Sequence, residues 1–236
     1  MKIAENVEML EVKIPRGDNF SIIYPTLTWD NSHLVLFDTG FPHTASFIVD
    51  EITKAGFDIS NVTDIILTHQ DVDHIGGCRE LLALAPQAKV YAHEVDAAFI
   101  DGRKVPTKLD KLEQKKRDGS FTDNDLPFYT MLKDGFAVAQ LPVNKTLKDG
   151  EVLDFCGGIE TIFTPGHTPG HASFYLQESQ MMICGDAANI SADGKTLQGS
   201  NPAMTWDSEL ADTSLDKILT YDLNGAISYH TGFLKF

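Results

Sequence analysis

Two histidines and two aspartates fall within six residues in the segment Thr68-His69-Gln70-Asp71-Val72-Asp73-His74-Ile75-Gly76-Gly77. They follow the apolar run 62–67 and precede a glycine pair. Loops at strand ends are where layered α/β folds place reactive side chains. Imidazole nitrogens and carboxylate oxygens in one cluster suit zinc, iron or manganese. Three more metal-competent side chains share this local context. His167 follows the run 159–164 through Pro165-Gly166, Asp186 follows 181–184 through Gly185, and His230 follows 226–229 directly. One histidine at a strand end is usually a polar loop residue, and Asp-x-Asp alone can be a turn or a helix cap. A tight cluster with three later strand-end donors is much harder to explain that way.

The elements that must position these groups are legible in outline. Residues 7–14 alternate apolar and polar like a half-buried strand. Segments 20–28 and 33–38 are rich in β-branched and aromatic residues, and Asn31-Ser32 between them predicts a hairpin turn. Helical spacing runs over 44–55 and ends at Gly56. A strand at 62–67, a helix at 76–85 stopped by Pro86 and a strand at 88–92 suggest βαβ units. Residues 101–140 carry dense lysines and acids with returning aromatics, and no strand pattern. They are expected to form an inserted helical or loop segment, either a lid or a solvated excursion. Strands resume at 151–155, 159–164, 171–177 and 181–184, then a helix at about 207–220 and a strand at 226–229. One domain over 1–236 is the expectation.

The chain has 236 residues, 42% of them apolar, enough to bury a substantial core. A net charge of −15 disfavours phosphate-rich partners such as nucleic acid or anionic lipid. Three cysteines, Cys78, Cys156 and Cys184, make no disulfide framework and fit a reducing compartment. The opening residues lack the apolar stretch of a secretory leader, and no run approaches the ~18 residues of a membrane span. A cytoplasmic protein with a small-molecule substrate is the expectation. Oligomeric state is not legible.

The pattern His69-x-Asp71-x-Asp73-His74, then His167, Asp186 and His230, resembles the metallo-β-lactamase superfamily, whose motif is HxHxDH followed by a distant His, an Asp and a final His. Phe37-Asp38-Thr39-Gly40 is similar to that family's early Asp-Thr-Gly turn. Thr164-Pro165-Gly166-His167-Thr168-Pro169-Gly170-His171 and Cys184-Gly185-Asp186 are similar to its later motifs. The resemblance implies an α/β fold, a four-layer αββα sandwich with two mixed sheets. It implies one cation on His69 and His167, a second on Asp73, His74 and His230, and Asp186 bridging them. It also implies a hydrolase in which a hydroxide shared by two divalent metals, zinc first, attacks a carbonyl or phosphoryl centre, with Asp73 as the catalytic proton-handling residue.

Asp71 departs from the family pattern, standing where the second histidine belongs. A carboxylate there is a harder donor, ligating directly or through water, and makes iron or manganese plausible. It keeps open a diiron redox reading of the flavodiiron kind, which would expect a flavin domain beyond His230. A small ester, lactone or thioester is the favoured substrate over a phosphodiester. His74 is expected to stay neutral, placed before a helix N-terminus. His171 is expected to support its loop by hydrogen bonding, Asp38 to brace the ligand loops, and His43 to reach the rim. His33 and His93 are expected to be ordinary residues. Tyr129, Phe136, Met204 and Trp206 are candidate pocket residues.

Overall fold

The computed structural model describes residues 1–236. Its strands are β1 (Lys2–Ala4), β2 (Val7–Met9), β3 (Val12–Arg16), β4 (Asn19–Ile23), β5 (Thr26–Trp29), β6 (Leu34–Phe37), β7 (Asp64–Leu67), β8 (Lys89–His93), β9 (Lys145–Leu147), β10 (Val152–Leu153), β11 (Ile159–Phe163), β12 (Ala172–Leu176), β13 (Met181–Gly185), β14 (Ala188–Ile190), β15 (Leu197–Gly199), β16 (Gly225–Ser228) and β17 (Gly232–Lys235). Its α-helices are α1 (Ala45–Lys54), α2 (Val72–Ile75), α3 (Cys78–Leu84), α4 (Glu94–Ile100), α5 (Thr107–Asp118), α6 (Leu126–Ala139) and α7 (Ser208–Ile218).

Two mixed sheets carry the architecture. One runs β1-β2-β5-β6-β7-β8-β9 and the other β10-β11-β12-β13-β16-β17. The two-residue period of a strand explains the layers. In β6, Leu34 and Leu36 join a cluster with Ile48 and Ile52 of α1, Leu81 of α3 and Leu132 of α6. The intervening Val35 and Phe37 face the other way and meet Phe174, Met181 and Ile183 of the second sheet. In β13, Met182 and Cys184 turn outward to Ile218 of α7. Both faces of each central strand are therefore covered, which is why these strands read as continuous apolar runs. Each fully buried side chain of this size contributes roughly 1.5–3 kcal/mol. The result is the expected αββα sandwich.

Several boundaries differ from those expected. The run 7–14 is split between β2 and β3, and 20–28 between β4 and β5. The second break falls at Tyr24-Pro25, where proline has no amide to give a ladder. Strands β3 and β4 pair only with each other, from Val12↔Ile23 to Arg16↔Asn19. The Asn31-Ser32 turn is present: Asp30 accepts from the Ser32 and His33 amides at 2.7 Å each, and Trp29 faces Leu34. The strand expected at 151–155 shortens to Val152–Leu153. The segment 101–140 holds α5 and α6, with Gly119 closing α5 at φ 79°. Strands β9, β14, β15 and β17 and helix α4 were not anticipated from the sequence.

Strand direction does the positioning. β6, β7 and β8 are mutually parallel, so Asp38, the 69–74 segment and α4 all leave the first sheet at one edge. In the second sheet β11 and β13 are both antiparallel to β12, and β16 is parallel to β13. Their C-terminal ends therefore release His167, Asp186 and His230 on one side. The Ala172 amide donates to the Thr68 carbonyl at 2.9 Å and joins the two edges.

Candidate metal centre

All seven candidate donors converge where the sheet edges meet. Ligand-competent atoms of His69, Asp71 and His167 lie within 4.8 Å of one another, as do those of His69, His74 and Asp186, and those of Asp73, His74 and His230. Asp186 touches both halves. Its Oδ2 lies 3.3 Å from His167 Nε2 and 3.3 Å from His230 Nε2, and its Oδ1 lies 3.4 Å from His74 Nε2. On the other side, Asp71 Oδ2 lies 2.9 Å from His167 Nε2 and 3.1 Å from His69 Nε2. His230 Nε2 is 3.4 Å from Asp73 Oδ2.

Supporting contacts fix these side chains. Asp38, at a left-handed φ of 59°, accepts from the Thr68 amide, the Thr68 hydroxyl and His74 Nδ1, each at 2.8 Å. With Nδ1 committed, His74 turns Nε2 to the centre. Tyr229 donates to the Asp73 carbonyl at 2.8 Å, accepts from the Gly40 amide at 3.1 Å, and lays its ring 4.0 Å from that of His74. His171 Nδ1 lies 2.9 Å from the Thr164 hydroxyl, and its Nε2 accepts from the Asp186 amide at 3.0 Å, as a loop-supporting residue should. Gly185 sits at φ 53°, and a Cβ there would come within 2.6 Å of His171 Nε2, so a side chain would push Asp186 out of place.

The electrostatics follow from burial among opposed charges. Burial pushes the His69 imidazole down to about 4, helped by its neighbour His74. Burial also keeps His171 well below the usual histidine range. His74 lies inside the short α2, just ahead of α3, and burial alone would depress it. The carboxylates of Asp38 and Asp186, one on each ring nitrogen, outweigh burial and hold its pKa well above the usual value. A cation at Nε2 therefore has to displace a proton.

Two charged residues escaped sequence reasoning. Lys108 of α5 reaches into the cluster, donating to Asp71 and lying 3.1 Å from His167 Nε2. Asp96 of α4 accepts from the Gln70 amide at 2.9 Å, the Gln70 side chain at 2.9 Å and the Thr168 hydroxyl at 2.7 Å, locking two donor loops together. The other end of Gln70 accepts from the Thr107 amide at 2.7 Å, which docks the start of α5 on the site. Neither charge belongs to a local motif; Asp96 is 26 residues from Gln70 and Lys108 is 37 from Asp71.

Burial pushes the Asp96 carboxyl up to about 6, against three hydrogen-bond donors that favour its charge. Between about pH 4 and pH 6 the folded chain keeps that proton and the unfolded chain releases it. The group therefore favours folding at low pH, and its contribution is lost as pH rises through about 6. Asp96→Asn removes the titration. The difference in unfolding free energy between the two metal-free proteins should shift against the wild type by roughly 3 kcal/mol from pH 4 to pH 7. Urea titrations across that range measure it, and a constant difference would mean that Asp96 ionises normally.

Other candidates separate cleanly. His43 is exposed beside Glu80, 3.6 Å from its carboxylate, and is not a rim residue. His33 stacks on Phe155 and His93 on Phe163, at 4.4 and 4.3 Å between ring centres. Tyr129 and Phe136 are buried in the core beneath the first sheet. Met204 and Trp206, by contrast, line a cavity of about 520 Å³ with Leu112 and Phe128. Lys108 and Met204 also line the cavity of about 230 Å³ over the donors, so the two spaces adjoin. The three cysteines are free and buried. No helix is long and apolar enough to cross a membrane.

Comparison with known proteins bears out the fold. A hydroxyacylglutathione hydrolase from Synechococcus sp. (strain JA-2-3B'a(2-13)) is 27% identical over 164 residues, 69% of this chain and 48% of the relative. The chain thus spans about half the length of that relative. The probable metallo-hydrolase YflN of Bacillus subtilis (strain 168) is 27% identical over 240 residues, covering 96% of this chain and 84% of its own. Among solved structures, the metallo-beta-lactamase family protein TTHA1429 from Thermus thermophilus superposes with a TM-score of 0.74 at 23% identity, over 98% of this chain and 75% of that one. The sequence profile of the metallo-beta-lactamase superfamily matches residues 19–224, and the chain belongs to that superfamily.

Proposed function

We propose that the chain is a dinuclear metal-dependent hydrolase that cleaves a small carbonyl ester, lactone or thioester. The observation that carries this reading is the state of the donor atoms. His69 Nε2, His74 Nε2 and Asp186 Oδ1 are buried and make no well-formed hydrogen bond, having only the ionic neighbours at 3.1 and 3.4 Å. Buried polar atoms are almost always paired, so three orphans aimed at one small volume fit a cation. One cation would be held by His69, Asp71 and His167, the other by Asp73, His74 and His230, with Asp186 shared. Zinc is the proposed metal. Asp71 is the residue that would favour iron or manganese instead, and a diiron redox centre with them.

When bound, such a pair supplies a water of lowered pKa and polarises the electrophile's oxygen. The protein does the rest. Asp73 stands at the mouth with its main chain pinned by Tyr229, placed to orient the attacking water and pass a proton to the leaving group. The adjoining cavity offers Leu112, Phe128, Met204 and Trp206 to the apolar part of an acyl group, beside the charged Lys108, Lys111 and Lys115. The relatives called hydroxyacylglutathione hydrolase favour the thioester among the candidate substrates. The whole chain is proposed to act as one domain, with 101–140 as a wall of the cavity. A small-molecule substrate and no nucleic-acid partner are proposed from the net charge of −15.

The zinc-loaded protein should contain about two metals per chain and hydrolyse members of a thioester, lactone and ester panel, with a bis-aryl phosphodiester as comparison. Turnover of the phosphodiester alone would sink the substrate proposal. Tightly bound iron with a visible absorption band and no hydrolysis would favour the redox alternative.

A further inference from the structure

We propose that Lys108 is a built-in competitor for the first cation position, so that a metal reaches Asp71 and His167 only by displacing its ammonium group. The inference rests on the metal-centre reading above and concerns how its two halves differ.

Lys108 is fixed by more than charge. Its helix starts at the site, where the Thr107 amide donates to Gln70, the residue between His69 and Asp71. The side chain is 15% exposed, and its ammonium contacts two of the donors that would bind a metal. Those contacts use the donor atoms themselves, Asp71 Oδ2 and His167 Nε2. An imidazole nitrogen has a single lone pair and cannot serve an ammonium proton and a metal together. Two cations on the same oxygen would also repel each other in a buried setting. The second half has no such rival: no lysine or arginine forms an ion pair with Asp73 or Asp186. A displaced ammonium has somewhere to go, because Lys108 lines both the donor cavity and the larger one beside it. The substitution of the family histidine by Asp71 has a matching logic. A carboxylate can be balanced by an ammonium, whereas a neutral imidazole would leave that buried charge without a partner.

The test is zinc titration of the metal-stripped full chain by calorimetry, with Lys108→Met, which keeps the length and removes the charge, and Lys108→Arg, which keeps the charge. Wild type should bind one zinc tightly and a second at least tenfold more weakly. In Lys108→Met the second should tighten tenfold or more while the first is unchanged, and Lys108→Arg should behave as wild type. Unchanged tight binding also certifies that the variant is folded. As a second readout on wild type, Lys108 should resist acylation in the stripped protein and become reactive after the second equivalent of zinc, as mapped by peptide mass spectrometry. Two zinc classes that are the same in wild type and Lys108→Met, with Lys108 labelling indifferent to zinc, would overturn this inference and leave the metal centre standing. No zinc binding by any of the three proteins would overturn both.

Discussion

Asp186→Ala should lower kcat/KM for the best carbonyl substrate by about a thousandfold or more, which corresponds to about 4 kcal/mol of lost transition-state stabilisation. It should also leave the protein with fewer than two metals. The size of the effect follows from where the carboxylate sits. Its two oxygens face His74 on one side and His167 and His230 on the other, so one truncation removes a donor from both halves. The fold should survive, because the side chain closes no apolar space and its backbone amide keeps its bond to His171. Circular dichroism and metal analysis of the same sample separate the two effects. A variant that retains two tightly bound metals and activity within tenfold of wild type would show that Asp186 is not a shared ligand.

Asp38→Ala is expected to have the largest effect on stability, about 3–5 kcal/mol. Asp38 is buried, and its two oxygens take three donors from the segment that carries the metal motif. Truncation leaves the Thr68 amide, the Thr68 hydroxyl and His74 Nδ1 without an acceptor, and each buried orphan costs about 1–3 kcal/mol. Alanine is also strained at the φ of 59° that Asp38 adopts, which aspartate and asparagine tolerate better. The imidazole of His74 would then be free to turn, and metal affinity should drop by about 10–100-fold. Asp38→Asn keeps the shape and the backbone tolerance but changes what His74 meets, so it should lie between the two. Chemical denaturation of the metal-free proteins gives the first quantity and competition with a chromophoric chelator the second. A loss below about 1 kcal/mol in Asp38→Ala would mean that the motif segment is held by something else.

The cluster of candidate donors was legible because His69, His167, Asp186 and His230 each follow closely on a short apolar run. Leu67 to His69 and Cys184 to Asp186 are clear instances. Asp38 was readable for the same reason, as the end of β6 running into a Thr-Gly turn. The layers were readable because strands buried on both faces leave uninterrupted apolar runs, as in Ile65–Leu67 of β7. What escaped was non-local or too short. Lys108 and Asp96 are single charges in helices, and nothing near them in sequence says that they reach Asp71 or Gln70. Tyr229 has the same invisibility: it looks like the end of a strand and acts as a strut between Gly40 and Asp73. Continuous apolar character through Ile22, Ile23 and Tyr24 hid the change from β4 to β5, although Pro25 marked it. The raised pKa of His74 in the metal-free chain was not legible because the two carboxylates that face it come from other strands.

The split of the donors between the two sheets has a consequence for biosynthesis. His69, Asp71, Asp73 and His74 are made early, on the first sheet, whereas Asp186 and His230 come from strands of the second. A chain that has emerged only through α6 contains His69, Asp71, Asp73 and His74 but none of His167, Asp186 and His230. The full donor set is complete only once β11, β13 and β16 have been made and the two sheets have docked. A metal pair held as proposed would then be captured last, after the two sheets dock, whatever the order in which the ligands are synthesised.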